Sequence, residues 1–273
     1  MAKVNALNDC ASPMPANSAA TSPLQPRDSS VLALPALERA ALFFDVDGTL
    51  LDIRPEPRDV VCDGDLRALL EQLLDRCHGA LALVSGRGLD DIDRIFSPLK
   101  FTAVGLHGAE IRDAAGAERR ADPRIMDHAR RPLRDFVAAH EGLMLEDKGA
   151  TLAVHYRNRP DLGVDALRFL LRFSPGDGLA VQEGKFVVEL KHGLYDKGTA
   201  IAELMRAPPF AGRTPVFFGD DLTDEAGFNS VNHLGGVSVR IGDADVRTQA
   251  RHLLADAAAL RALLRGALRE ARP

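Results

Sequence analysis

The chain has 273 residues, 46% hydrophobic and 27% charged, the composition of a soluble globular protein with room for one large domain or two ordinary ones. Its 34 Lys and Arg against 39 Asp and Glu give a formal charge of −5. That balance argues against a broad nucleic-acid surface, which needs clustered positive charge, while allowing a local basic pocket for a small anion.

Residues 1 to 35 are rich in Ala, Ser, Pro and Asn. Such a segment cannot bury enough apolar surface to offset its ordering entropy, so a mobile tail is expected. From Ala40 short apolar runs alternate with helical ones. "ALFF" is a strand that ends at Asp45. "DLRALLEQLLDRC" places Leu66, Leu69, Leu70, Leu73 and Leu74 on one helix face. "ALALV" is a second strand, ending at Ser85-Gly86-Arg87, and "FTAVG" a third at 101–105. Later come "TPVFF", ending at Gly219-Asp220-Asp221, and "GGVSVRI". Continuous apolar strands between helices predict a parallel sheet covered on both faces, an α/β Rossmann-like core over 36–107 and 194–273. Ligands bind such sheets at the carboxyl ends of the strands.

Residues 108–193 read differently. "GAEIR", "GLMLEDKG", "TLAVHYR", "GLAVQEG" and "KFVVEL" are short strands split by turn residues, with helical stretches around 124–140 and 161–173. Partial alternation in "TLAVHYR" and "KFVVELK" predicts a sheet with one open face, set as a second domain within the first. The final Ala/Leu/Arg-rich stretch, 253–268, reads as a packing helix with Arg261, Arg265 and Arg269 on a solvated face. No apolar run has the length of a membrane span, and the first residues lack a signal-peptide pattern. Cys10, Cys62 and Cys77 are odd in number and match no CxxC spacing, so a cytoplasmic protein without disulfides or a zinc site is expected.

Asp45 and Asp47 bracket the end of the first strand, and Gly48 lets the chain turn sharply beside them. Asp220, Asp221 and Asp224 form a second acidic group after another apolar strand. Two carboxylates about 4 Å apart repel by roughly 4 kcal/mol at an effective dielectric near 20. A converging cluster therefore calls for a cation, and all-oxygen ligands point to Mg²⁺. A carboxylate beside such an ion can attack phosphorus, and a second carboxyl group two residues on can protonate the leaving alcohol. Ser85 and Lys197 supply a hydroxyl and a compact positive charge for the equatorial oxygens.

"DVDGTL", "SGR", "DKG" and "GDDLTDE" resemble, in order, the four motifs of the haloacid dehalogenase superfamily of phosphatases. "VGLHGAE", "EDKGATLAVHYR", "GKFVVELKHGLYDKGTAI" and "GRTPVFFGDDLTDEAGF" narrow the resemblance to the trehalose-6-phosphate phosphatases, over about 36–265. The resemblance implies Asp45 as nucleophile and Asp47 as general acid/base. It implies a Mg²⁺ site at Asp45, Asp47 (through its backbone carbonyl) and Asp220, with Asp221 or Asp224 in support. Ser85 and Lys197 would hold the phosphoryl group, with Thr49 orienting the loop and Arg87 lining the pocket. The inserted domain would be an α/β cap, with Glu146, Lys148, Lys185 and Glu189 on sugar hydroxyls. His155 and Arg157 would serve cap structure by pairing with nearby acids, and the roles of His107 and Glu110 stay open. The substrate implied is trehalose 6-phosphate, with no nucleic-acid or membrane partner. Two other readings stay open: a phosphatase or mutase of another sugar phosphate, and a phospho-acceptor signalling domain. The latter needs neither the second acid nor the cap.

Overall fold

The computed structural model of the chain describes residues 32–52, 60–174, 178–184, 186–244 and 246–270. Its larger sheet runs β12-β11-β10-β1-β2-β3-β4-β5. The parallel part contains β1 (Ala40–Phe44), β2 (Leu81–Val84), β3 (Thr102–Gly105), β10 (Thr214–Gly219), β11 (Val237–Ile241) and β12 (His252–Leu254). All residues of β1, β2 and β3 are buried, as continuous apolar runs require when helices cover both faces. The helix α1 (Gly64–Arg76) buries Leu66, Leu69, Leu70 and Leu73, and Asp63 caps it by accepting the Leu66 N–H at 2.7 Å. It packs against α7 (Ala257–Glu270), and Arg261 of α7 pairs with Asp63 at 2.7 Å instead of pointing freely into solvent. The helices α5 (Lys197–Leu204) and α6 (Glu225–His233) pack on each other, and α2 (Leu89–Phe96) covers β3. Phe43 stacks on Phe210 and Phe44 on Phe218, at 5.3 and 5.1 Å between ring centres.

The insertion differs from the expected division. The strands β4 (Glu110–Arg112) and β5 (Glu118–Arg120) pair antiparallel onto β3 and extend the larger sheet. The expected boundary at 108 thus falls inside that sheet, because the hairpin takes the hydrogen-bonding edge that β3 offers. A separate sheet in the order β6-β7-β9-β8 starts at Met144: β6 (Met144–Asp147), β7 (Thr151–His155), β8 (Leu179–Gly184) and β9 (Val187–His192). One face carries Leu152, Val154, Val188 and Leu190 into a second apolar core with Leu133 of α3 (Asp127–Ala138) and Leu170 of α4 (Gly163–Leu170). The predicted open face is the other one. At the opposite end of the chain, Leu32 and Leu34 pack against the main core, so the expected tail stops short of them; residues 1–31 lie outside the described residues. Among the described residues no helix is long and apolar enough to cross a membrane.

Candidate active site

Three neighbouring parallel strands each end on a candidate functional side chain. Asp45 follows β1, Ser85 follows β2 and Asp220 follows β10. Phe44 lies opposite Phe218, and the Asp45 N–H donates to the Phe218 carbonyl at 2.9 Å, which sets the two acidic loops side by side. Gly48, at φ +87°, lies against the Asp220 carboxylate: a Cβ there would be 2.1 Å from its Oδ2. Only glycine allows that approach and that backbone conformation. Thr49 donates to Asp220 Oδ1 at 3.1 Å.

Lys197 opens α5, where Asp196 and Thr199 form a capping box. Its ammonium is buried and donates to Asp45 and to Asp224, at 2.6 Å each. Burial alone would lower an ammonium, yet the two carboxylates hold Lys197 well above its ordinary value. Asp45, Asp220 and Asp224 bring carboxylate oxygens within 4.8 Å of one another. Burial, helped by Asp224 and Asp220, pushes Asp45 up, and burial with Asp224 pushes Asp220 up to about 7. Asp224 is spoken for: one oxygen takes Lys197 and the other accepts the N–H groups of Asp220 and Asp221, at 2.9 and 3.0 Å. The remaining expected metal residues lie differently. Asp221 turns to accept the Leu222 N–H at 2.6 Å, capping a short 3-10 helix, so its carboxylate stays out of the cluster that Asp224 joins. The Asp47 side chain is held by Arg87, whose Nε and Nη2 donate to its two oxygens at 2.6 and 2.7 Å. Both Asp47 carboxylate oxygens are thus engaged by Arg87. Ser85 is buried, and its hydroxyl oxygen accepts the Arg87 N–H at 3.1 Å.

The open face of the smaller sheet supplies the rest. Ladder pairing aligns Glu146, Ala153, Glu189 and Gln182 across its four strands. Residues directly opposite share a face, so these side chains point one way, away from the apolar core. Lys148 donates to Glu189 at 2.9 Å and reaches the Gly86 carbonyl at 3.5 Å, spanning the gap to the loop after β2. His155 meets Glu146 at 2.9 Å, the pairing expected of it, and its hydrogen bond lowers the Glu146 carboxyl. Arg157 lies over the Phe186 ring rather than on an acid, and Lys185 lies outside the described residues. From the core, His107 meets Glu189 at 2.8 Å, and Glu110 accepts the Leu89 N–H at 2.8 Å, covering the start of α2. Gln182 escaped the sequence reading; its Nε2 is buried with no hydrogen-bond partner among the described residues. The available signal was weak: Leu179 and Val181 alternate with Ala180 and Gln182, which puts Gln182 on the face away from the apolar pair.

A family profile described as trehalose-phosphatase matches residues 43–257. The chain is 43% identical over 231 residues to a probable trehalose-phosphate phosphatase of Sinorhizobium fredii, covering 84% of this chain and 87% of that one. The chain belongs to the trehalose-phosphatase family. It is also 44% identical over 206 residues to a trehalose-6-phosphate phosphatase of Escherichia coli, covering 74% and 77% of the two chains. Among solved structures, the C-terminal domain of the trehalose-6-phosphate phosphatase of C. albicans superposes with a TM-score of 0.77 at 22% identity, over 85% of this chain and 93% of that one. A haloalkanoate (HAD) superfamily phosphatase of Bacteroides thetaiotaomicron gives 0.59 at 14%, over 88% and 98%. At these identities the likeness is one of fold, and the fold of this trehalose-phosphatase family member is the α/β fold of those phosphatases.

The carboxylates fit a hard divalent cation. Asp45 and Asp220 are costly to ionise together: Asp45 and Asp224 share the single charge of Lys197, and among the described residues the Asp220 carboxylate accepts from the Thr49 hydroxyl and pairs with no cation. An oxygen-only donor set with more carboxylates than one ammonium can neutralise suits Mg²⁺ rather than a softer metal.

Proposed function

We propose that this chain is a Mg²⁺-dependent phosphatase that hydrolyses trehalose 6-phosphate to trehalose and phosphate. One observation carries the substrate reading: the polar row of the smaller sheet faces the strand ends and touches them through Glu189–His107 and Lys148–Gly86. A ligand with a phosphate at Asp45 and sugar hydroxyls against Glu146, Lys148 and Glu189 spans that cleft. Carboxylates accept from hydroxyls and an ammonium donates to them, so both ends of a hydroxyl are served. The named activity of the relatives supports the same substrate.

Asp45 attacks phosphorus, forming an Asp45 O–P bond as the bond from phosphorus to the sugar oxygen breaks. Asp47 gives its proton to that oxygen, releasing trehalose. The Asp47 carboxylate then takes a proton from water as the water oxygen bonds to phosphorus and the Asp45 O–P bond breaks. Phosphate leaves with both aspartates restored. Arg87 holds Asp47 in reserve and must release one oxygen for Asp47 to carry a proton. Ser85 and Lys197 donate to the equatorial oxygens, Lys197 while steadied by Asp224. Mg²⁺, held by Asp45, Asp220 and the Asp47 carbonyl, would supply positive charge against the clustered carboxylates and the phosphoryl oxygens. The smaller sheet and its helices act as a cap that excludes bulk water. A cytoplasmic setting accords with Cys62 and Cys77, which are buried free thiols pushed up to about 11 by burial.

The test is phosphate release from a panel of sugar phosphates with and without Mg²⁺. Trehalose 6-phosphate should lead in kcat/KM. The substrate reading falls if sucrose 6-phosphate or a monosaccharide phosphate outranks it.

A further inference from the structure

We propose that His107 is a positioning residue for this reaction, tying the cap carboxylate Glu189 to the loop that carries Ser85 and Arg87. The inference rests on the reading of Glu189 as a sugar-binding group and adds a residue of the core that sets its orientation and closes the cap.

The geometry begins with the backbone. Leu106 and His107 hold φ of +47° and +55°, two successive non-glycine residues in the left-handed region. Each costs on the order of 1–2 kcal/mol, so the surroundings must over-determine them. They do: the Leu106 N–H donates to the Arg87 carbonyl at 2.9 Å and the His107 N–H to the Ser85 carbonyl at 3.0 Å. The imidazole packs its Cε1–Nε2 edge against Gly86, where a Cβ would be 2.6 Å from both atoms. The ring is thereby fixed relative to the phosphate-binding loop before any cap residue is considered.

Its Nε2 then reaches Glu189 Oε2 at 2.8 Å, while Lys148 takes Oε1 at 2.9 Å. A carboxylate accepts, so Nε2 carries the hydrogen. The buried Nδ1 has no partner among the described residues, which suits a bare lone pair and not a second N–H. A neutral imidazole orients Glu189 and leaves its charge available to a sugar hydroxyl. Filling space beside Gly86 requires only the bulk of the ring; turning Glu189 requires the Nε2 donor, and the two demands separate by substitution.

The test compares His107→Leu, which keeps bulk and removes the donor, with His107→Gln, whose amide nitrogen stands near the place of Nε2. For trehalose 6-phosphate, His107→Leu should lower kcat/KM by about 10- to 100-fold, mainly through KM, the worth of a hydrogen bond to a charged group. For p-nitrophenyl phosphate, which leaves the cap's sugar row unused, the loss should be at least several-fold smaller. His107→Gln should recover most of the difference. Equal losses on both substrates, or no recovery with Gln, would overturn the proposal. A wild type inactive on trehalose 6-phosphate would sink the substrate reading alone. The contact itself is then judged by a double-mutant cycle of His107→Leu and Glu189→Gln in urea unfolding of the full chain. Coupling of about fivefold or more in the unfolding constant is expected, and additivity would overturn the proposal.

Discussion

Lys197 donates to Asp224 at 2.6 Å, and the two side chains are 2% and 0% exposed. With its other oxygen Asp224 gathers the backbone N–H groups of Asp220 and Asp221. Asp224 thus builds the loop that presents Asp220 and steadies the cation beside Asp45. Replacing it with Asn weakens a buried pair, and breaking such pairs typically costs about 3–5 kcal/mol. For a chain of this size the Tm should fall by roughly 10 °C, and turnover should fall with it. Circular dichroism melts decide the point: a Tm within about 2 °C of wild type would deny Asp224 this role.

Asp45→Asn separates chemistry from fold. The amide matches the carboxylate in size, Lys197 keeps Asp224, and a buried charge that is costly to ionise is removed. The variant should melt as a folded protein while kcat drops by a factor on the order of 10⁴ or more, as for loss of a nucleophile. Substantial residual turnover would take Asp45 out of the mechanism.

Cation binding should register in stability without any turnover. At Mg²⁺ concentrations about 100 times Kd, linkage predicts stabilisation by about 2.7 kcal/mol, or a Tm rise of several degrees. Asp220→Asn removes the carboxylate of the cluster that Lys197 does not touch and should abolish most of that rise. A rise that survives in Asp220→Asn would place the cation elsewhere.

The junction of core and cap should be acid-sensitive. Burial outweighs Glu189 and, with Lys197 and Lys191 nearby, holds His107 below its ordinary value. The unfolded chain therefore binds a proton near pH 6.5 that the folded chain refuses, so stability declines as pH falls below about 6.5. Glu189 would be raised by burial alone, yet Lys148 and His107 depress it, so its contribution is present above about pH 4.3 and lost only below that. Between about pH 7.5 and 5.5 this histidine share lowers the urea midpoint, while Asp220, pushed up to about 7, takes up a proton in the folded chain and raises it, so the share is read as the difference between wild type and His107→Gln. As pH falls across that window the wild-type midpoint should drop relative to that of His107→Gln, and parallel profiles would deny His107 this share.

Much of this protein was legible in local pattern. "ALFF", "LALV", "TAVG" and "PVFF" are apolar at successive positions, and β1, β2, β3 and β10 form there because parallel strands are buried on both faces. The same pattern exposed Asp45, Ser85 and Asp220 as polar residues at the ends of such runs. Strand β5, "ERR", is exposed at all three residues, and β12, "HLL", overlaps the start of the stretch 253–268 read as helix; each exists because a neighbouring strand offers an edge. Pairing of that kind is set by the partner strand and leaves no periodicity within the segment to read.

The sequence by itself determined the reaction type and the placing of its acids, since strand burial and turn chemistry are local. It placed Asp221 with Asp220 among the metal residues and offered Asp221 or Asp224 only as support. Tertiary structure chose between them, because the chain after Gly219 turns Asp221 outward as a cap and folds Asp224 back onto Lys197. Nor could local pattern join His107 to Glu189, 82 residues apart, since that contact depends on a left-handed backbone and on where the cap comes to rest. Which residues carry the chemistry follows from side-chain type and strand position; which of them meet follows from the packing of two sheets against each other.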